Sequence, residues 1–230
     1  IIFASSTQEY MNNVYGKSKK TARLNLKDWS LLNKSIFNGL IIPNVFGTFG
    51  VPFYNSFIST FAHQLINNEI PVINNDSEVN LIYVDELILN IIDIINYPFT
   101  NDLHQIKHTS TKRVSEVLEL LKSFKNEYLD KGQIPRVELN SFELNLFNTF
   151  RSHIPKTYFP RNFTKHTDDR GSFVEIMRAG SAGQSSYSTT VPGITRGDHF
   201  HTRKIERFAV ISGRASIKFR KVNSEEVIEY

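Results

Sequence analysis

An α/β domain with a largely parallel sheet, followed by an all-β domain, is the architecture that these 230 residues predict. Two observations carry that expectation. Over residues 1–158, short apolar runs of strand length alternate with stretches whose apolar residues recur every three or four positions, the pattern of strand–helix units. Over residues 159–230 the helical period disappears, and short β-rich runs are separated by glycine-containing turns, the pattern of a sandwich or barrel. The composition, 40% hydrophobic and 22% charged, is that of a globular protein throughout.

The elements follow in order. Ile1-Ile2-Phe3-Ala4 reads as a strand running into Ser5-Ser6, and a helix then carries Tyr15 through residue 29, with Ala22, Leu24 and Leu26 as its apolar positions. Residues 37–42 form an apolar run of strand length, closed by Pro43, which has no amide donor, with a turn at Gly47. Phe57, Ile58, Phe61, Ala62, Leu65 and Ile66 have helical spacing. Residues 71–73 and 79–83 read as short strands, with Asp85 as the N-cap of an apolar helix over 86–95. Residues 104–108 read as a further strand, and Ser115 opens a helix with Val117, Leu118, Leu121 and Phe124 on one face. Prolines and basic residues over 154–167 mark a linker. Beyond it, 172–177, 186–191, 207–211 and 215–219 are the β-rich runs.

Several classes are excluded. No apolar run approaches the roughly 20 residues that cross a bilayer, and no amino-terminal signal pattern is present. There is no cysteine, which removes disulfides and thiolate metal sites and is compatible with a reducing, cytoplasmic location. A net charge of +4 on scattered basic residues favours an anionic small molecule over nucleic acid as the partner. The chain starts without Met inside one strand pattern and stops inside another, so a fragment cut at both ends is expected, and no Gly-x-Gly-x-x-Gly phosphate cradle occurs in it. A homodimer is expected; the apolar helix over 85–95 offers a face for it, although core packing is the commoner use of such a helix.

The first chemical constellation is Ser5-Ser6-Thr7 followed by Tyr15-Gly16-Lys17-Ser18-Lys19. On a helix, residues four apart share a face. An ammonium beside a phenol favours the phenolate, which suits proton transfer near neutral pH. A Ser6 hydroxyl at the carboxyl end of the preceding strand can hold the same substrate oxygen, a triad fitted to carbonyl reduction or oxidation beside a nicotinamide. A solvated surface pair is the alternative. The second constellation lies in residues 193–213, where His199, His201 and Glu206 are framed by Gly193 and Gly213. Alternation on a strand would put both imidazoles on one face, with Glu206 on the returning strand. Two nitrogens and an oxygen suit Zn, Fe, Mn, Ni or Cu; surface histidines with a salt-bridged glutamate are the other reading. Arg170 and Arg196 offer guanidinium forks to a diphosphate, or are ordinary surface arginines.

The string from Gly193 to Gly213 resembles the first cupin signature, Gly-x5-His-x-His-x4-Glu-x6-Gly, at every position. The first part resembles the extended short-chain dehydrogenase/reductase family at Ser5-Ser6-Thr7, Tyr15 to Lys19, Pro43-Asn44-Val45-Phe46-Gly47 and Tyr83-Val84-Asp85-Glu86-Leu87. That resemblance implies a partial Rossmann-like NAD(P)-binding fold over 1–158 and a partial cupin jelly-roll over 159–230. It makes Ser6, Tyr15 and Lys19 the catalytic triad, with Tyr15 as proton donor, Lys19 also on the nicotinamide ribose and Pro43 bordering the nicotinamide. Asn44, Tyr54 and Asn55 would line the sugar-nucleotide pocket.

The interval between Ser6 and Tyr15 is shorter than is usual in that family. With the fused cupin and Asp168-Asp169-Arg170-Gly171-Ser172-Phe173, it narrows the resemblance to the CapF/WbjC-type bifunctional enzymes of capsule and surface-antigen assembly. These imply NADPH (or NADH) reduction of the C4 ketone of a 4-keto-6-deoxy UDP-N-acetylhexosamine, and C3 epimerisation by a zinc-bearing cupin, towards UDP-N-acetyl-L-fucosamine. A UDP-sugar is then the substrate, and the fragment alone is expected to be inactive. Two other readings keep the residues but change the role: an NAD-recycling nucleotide-sugar 4-epimerase or dehydratase, and a non-catalytic sugar- or metal-binding cupin on a degenerate scaffold.

Overall fold

The computed structural model of the chain describes residues 1–139, 141–180, 183–201 and 205–230. They fall into two compact units, Ile1–Thr164 with Glu175–Ser186, and Lys165–Val174 with Tyr187–Tyr230.

The first unit is a mixed α/β fold. Its elements are β1 (Ile2–Ser6), α1 (Val14–Leu32), β2 (Asn38–Ile42), β3 (Asn44–Phe46), α2 (Phe57–Ile66), β4 (Glu78–Tyr83), α3 (Val84–Asn96), β5 (Asn101–Gln105), β6 (Ser110–Arg113), α4 (Val114–Phe124) and α5 (Phe142–Ser152). One sheet has the order β1-β2-β5 with both pairings parallel, Ile2 opposite Asn38 and Ser6 opposite Ile42. Every residue of β2 is buried, as a central parallel strand covered on both faces requires. The other sheet has the order β3-β4-β6, parallel between β3 and β4 and antiparallel between β4 and β6. Pro43, buried and without an amide donor, separates β2 from β3, so the chain leaves one ladder there and enters the other.

The helices build two hydrophobic cores, and β4 contributes to both. Helix α3 lays Leu87, Ile91 and Ile94 against Leu40, Ile42, Ile82 and Ile106. Helices α2, α4 and α5 pack Ile58, Phe61, Val117, Leu121, Leu146 and Phe150 with Phe46, Leu81 and Tyr83. The Phe124 and Phe147 ring centroids are 5.1 Å apart, in a tilted arrangement that rings prefer to a face-to-face stack.

One polar contact is buried among these elements. The chain between β1 and α1 makes a 3-10 turn, Thr7–Tyr10, that points the Glu9 carboxylate inward. The Arg23 guanidinium, from the middle of α1, meets it at 2.9–3.1 Å, with side-chain exposures of 6% for Arg23 and 2% for Glu9. Ser5 Oγ donates to the same carboxylate, and Arg23 Nη1 donates to the Asp102 carbonyl of β5 at 2.9 Å. Burial alone pushes the Glu9 carboxyl up, but the Arg23 and Ser5 hydrogen bonds and the Arg23 charge outweigh it, so the net shift is downward. Gly39 of β2 lies under this group: a Cβ there would fall 2.6 Å from the Asp102 carbonyl and 2.7 Å from Arg23 Cδ.

The structure departs from expectation at several elements. Residues 71–73 form no strand, since Pro71 has no donor for a ladder and Val72 is exposed. The cap of α3 is Tyr83, not Asp85; the Glu86 carboxylate reaches back to the Tyr83 amide at 3.1 Å, and Asp85 sits in the first turn. β5 ends at Gln105, before residue 108. Helix α5 was not anticipated; the Ser141 hydroxyl accepts from the Leu144 amide at 3.2 Å to start it, and Leu146, Phe147 and Phe150 are its buried face.

The described residues of the second unit contain strands and turns and no helix. β7 (Lys165–Asp168) pairs antiparallel with the start of β8 (Gly171–Arg178), Lys165 opposite Val174 and Asp168 opposite Gly171. β8 and the following β9 (Gln184–Thr190) both run across the division between the units. β10 (Lys218–Arg220) and β11 (Val227–Glu229) form a hairpin. The expected strand over 207–211 is absent and the one over 215–219 starts only at Lys218. Apolar alternation marks a face, but a strand forms only where a neighbour takes up its backbone bonds. No helix among the described residues is long and apolar enough to cross a membrane.

Two consequences are measurable. Glu9→Ala leaves the Arg23 charge buried and unpaired, and is expected to cost about 3–5 kcal/mol in urea unfolding, whereas Glu9→Leu with Arg23→Met recovers most of that loss. The second concerns His153, at the end of α5, whose Nε2 is buried without a hydrogen-bond partner among the described residues. Burial, and then the nearby His63, push its pKa below the ordinary value. The unfolded chain therefore takes up a proton that the folded one resists. This contribution is complete above about pH 6.5 and lost as pH falls below it. Unfolding free energy should rise as pH is raised towards about 6.5 and level off above it, with a smaller slope in His153→Phe.

Candidate active site and metal centre

In parallel sheets, ligands bind outside the carboxyl ends of the strands. Ser6 is the last residue of β1, and Pro43 directly follows β2. The Ser6 hydroxyl accepts from the Gln8 amide at 3.2 Å as the cap of the 3-10 turn, which leaves its own proton to donate. Its neighbour Ser5 is committed to Glu9 and buried. The two adjacent serines thus have different duties, and Ser6 is the one that can meet a ligand.

Tyr15 and Lys19 lie on the first turns of α1. The Asn13 side chain accepts from the Gly16 amide at 2.7 Å and starts this helix. Gly16 is obligatory for another reason: a Cβ there would come within 2.0 Å of the Gln8 carbonyl oxygen. The helix therefore rests on the backbone of the 3-10 turn, and Tyr15 points outward, 42% exposed. Lys19 Nζ donates to the Ala4 carbonyl of β1 at 3.0 Å and stands 5.7 Å from the Tyr15 ring centroid. The i,i+4 pair anticipated from sequence is thus assembled, with its ammonium tied to the strand that presents Ser6.

Among the described residues, neither Tyr15 nor Lys19 is hydrogen-bonded to Asn44, Tyr54 or Asn55. Asn44 is exposed, with Nδ2 3.4 Å from the Asn80 carbonyl. Tyr54 is exposed and Asn55 has φ of 53°, both in the loop between β3 and α2, where Phe49 and Phe53 are also left-handed and exposed. The Phe53 amide donates to Thr60 Oγ1 at 2.9 Å, which fixes the end of that loop to α2.

The second unit holds the other constellation. His199 Nε2 and His201 Nε2 are 3.1 Å apart, and His201 Nε2 is 3.3 Å from a Glu206 carboxylate oxygen. One ligand atom from each residue lies within 4.8 Å of the others. Two bonds of about 2.0–2.1 Å hold ligand atoms no more than about 4 Å apart, so a closure of less than about 1 Å brings all three onto one ion. Two imidazoles and a carboxylate, with room left for a further ligand, fit a divalent metal. The strand premise was wrong, however. The described residues of 191–217 carry no strand, and the approach to His199 turns through left-handed Gly197 and Asp198. Thr202, Arg203 and Lys204, within the signature, lie outside the described residues.

Arg170 is held by Asp168 across the β7–β8 turn, with Nη2 and Nε at 2.6 and 3.0 Å from Oδ2. Arg196 Nη1 donates to the Thr189 carbonyl at 2.8 Å. Sequence reasoning missed Glu9 and Arg23: Arg23 follows Lys19 by four residues on α1, but nothing in the residue order marks Glu9, on the 3-10 turn, as its partner.

Residues 166–230 match the family described as polysaccharide biosynthesis C-terminal domain. A solved structure of the capsular polysaccharide assembling protein CapF from Staphylococcus aureus superposes with a TM-score of 0.81 and 32% identity, covering 100% of this chain and 63% of CapF. The chain is similar to CapF along its whole length. It is also 34% identical over 229 residues to the UDP-2-acetamido-2,6-beta-L-arabino-hexul-4-ose reductase of Pseudomonas aeruginosa, covering 96% of this chain and 60% of that enzyme. The chain thus spans about three fifths of the length of these relatives. A UDP-N-acetylglucosamine 4-epimerase from Methanobrevibacter ruminantium shares the fold of the first part, at TM-score 0.55, 20% identity and 66% of this chain.

The metal set has a direct test. The chain is expected to take up one equivalent of zinc, and His201→Ala, which removes the atom between the two other ligands, should bind it at least about tenfold more weakly in calorimetric titration. Equal affinity would show that His201 is not a ligand.

Proposed function

We propose that this chain carries the catalytic residues of a two-step nucleotide-sugar enzyme of capsule or surface-polysaccharide assembly. In this reading the first unit serves NADPH-dependent reduction of a 4-keto-6-deoxy UDP-N-acetylhexosamine, and the second, cupin-type unit serves epimerisation at C3. The observation that carries it is the Tyr15–Lys19 pair, tied by Lys19 to the strand that ends in Ser6. The likeness to CapF and to the Pseudomonas reductase along nearly the whole chain supports the choice of substrate.

The residues divide the work as follows. Ser6 donates a hydrogen bond to the ketone oxygen and orients it. Tyr15 gives that oxygen its proton as charge develops there, and Lys19 sets a positive charge 5.7 Å from the Tyr15 ring. Lys19 and Tyr15 fit the nicotinamide end of a dinucleotide, bordered by Pro43; a glycine-rich pyrophosphate cradle does not occur in these 230 residues. The nicotinamide supplies hydride when bound. In the second unit, His199, His201 and Glu206 would hold a divalent metal, probed first as zinc, whose chemistry is to stabilise the enolate that epimerisation beside a ketone requires. Arg170 and Arg196 are proposed for the diphosphate; Arg170 must then exchange part of its Asp168 contact for phosphate.

A 4-epimerase that recycles bound NAD uses the same Ser, Tyr and Lys types, and the fold likeness to such an enzyme keeps that reading open. Cofactor stoichiometry separates the two. With the full-length polypeptide that contains this chain, NADPH should be consumed one for one with keto-sugar, and Tyr15→Phe should lower kcat by about 10²–10⁴-fold. Turnover without net NADPH oxidation would overturn the reductase reading, and normal turnover in Tyr15→Phe would remove Tyr15 as the acid.

A further inference from the structure

Lys19 has a third neighbour that the reading above does not use. Its ammonium lies 5.4 Å from the centroid of the Phe3 ring, in addition to its 3.0 Å bond to the Ala4 carbonyl and its 5.7 Å approach to the Tyr15 ring. Phe3 and Ala4 are adjacent on β1, so strand alternation sends the Phe3 side chain off one side while the Ala4 carbonyl stays in the ladder plane. Lys19 is thereby met by a ring face and a carbonyl from a single dipeptide. A lysine side chain has four rotatable carbons and a strongly hydrated head, and one carbonyl bond leaves it free to swing about that bond. A π face within about 6 Å attracts the ammonium and restricts that swing.

We propose that Phe3 is a positioning residue: its ring holds the Lys19 ammonium in place beside Tyr15. It touches neither substrate nor cofactor and acts only through Lys19. The Ala4 carbonyl is backbone and cannot be altered by substitution, and Tyr15 is assigned to the proton transfer, so Phe3 is the neighbour through which sequence change can retune the placement of this lysine. The inference deepens the reductase reading and rests on it.

The test separates placement from turnover. In the chain labelled with ¹³C-lysine, the Lys19 ε-methylene, assigned by Lys19→Arg, should show a ring-current shift. Phe3→Leu should move it towards the free-lysine position, and Phe3→Tyr, which keeps the π face, should leave it displaced. In the full-length polypeptide, Phe3→Leu should lower kcat for NADPH-dependent ketone reduction roughly 2- to 30-fold, with Phe3→Tyr restoring it. Should Phe3→Leu fail to fold by circular dichroism, pentafluorophenylalanine at position 3 keeps the ring's shape and reverses its face potential, and should give the same loss. A Lys19 resonance unmoved by loss of the π face, or a kcat loss that Phe3→Tyr does not recover, overturns the proposal. Turnover without net NADPH oxidation would instead sink the reductase reading, while the resonance still decides the placement of Lys19.

Discussion

The buried pair of Glu9 and Arg23 is the contact on which the first unit's geometry depends. It joins the 3-10 turn after β1 to the middle of α1, and through the Asp102 carbonyl it reaches β5, on the far side of β2. Taking two charges out of water is unfavourable unless every hydrogen-bonding position is filled. Here Ser5, the guanidinium and the Asp102 carbonyl fill them. Lys27 adds an ion pair to the Asp102 carboxylate at 2.7 Å, but it is half exposed and adds little beyond position. A charged pair is directional in a way that apolar packing is not. Helix α1 therefore has one rotation in which Arg23 is satisfied, and that rotation turns Lys19 to β1.

The same dependence explains what could be seen in the sequence. The apolar periods located β2, α2, β4, α3 and α4 because these elements are ordered by burial of one face, which leaves a trace in residue order. Tyr15 and Lys19 were legible because both partners lie on one helix. Glu9 and Arg23 were not, because their pairing is made by the 3-10 turn and has no period. Helix α5 went unseen although Phe142, Leu146, Phe147 and Phe150 have the right spacing. Asp85 was taken for a cap on its type, whereas the bond that starts α3 comes from the side chain of Glu86.

In the second unit the legibility is reversed. The spacing of His199, His201 and Glu206 pointed to a candidate ligand set, and the structure brings their donor atoms within 4.8 Å of one another. The expected strands around them are largely missing. Proximity here arises from left-handed turns at Gly197 and Asp198 and from the short x-spacing itself, neither of which needs a ladder. A metal set can be written into a sequence by interval alone; a sheet also needs partners for its backbone.

The contact between Gly16 and the Gln8 carbonyl has a consequence for how such chains can vary. Because α1 sits directly on the backbone of the preceding turn, the nine-residue step from Ser6 to Tyr15 acts as a ruler with no slack. A widening at the Gln8–Gly16 contact cannot be absorbed, since that gap is already closed to a single methyl group. Change in this interval must come as a whole replacement of turn, cap and glycine together. Drift in its length is thus blocked far more strongly than drift in its side chains.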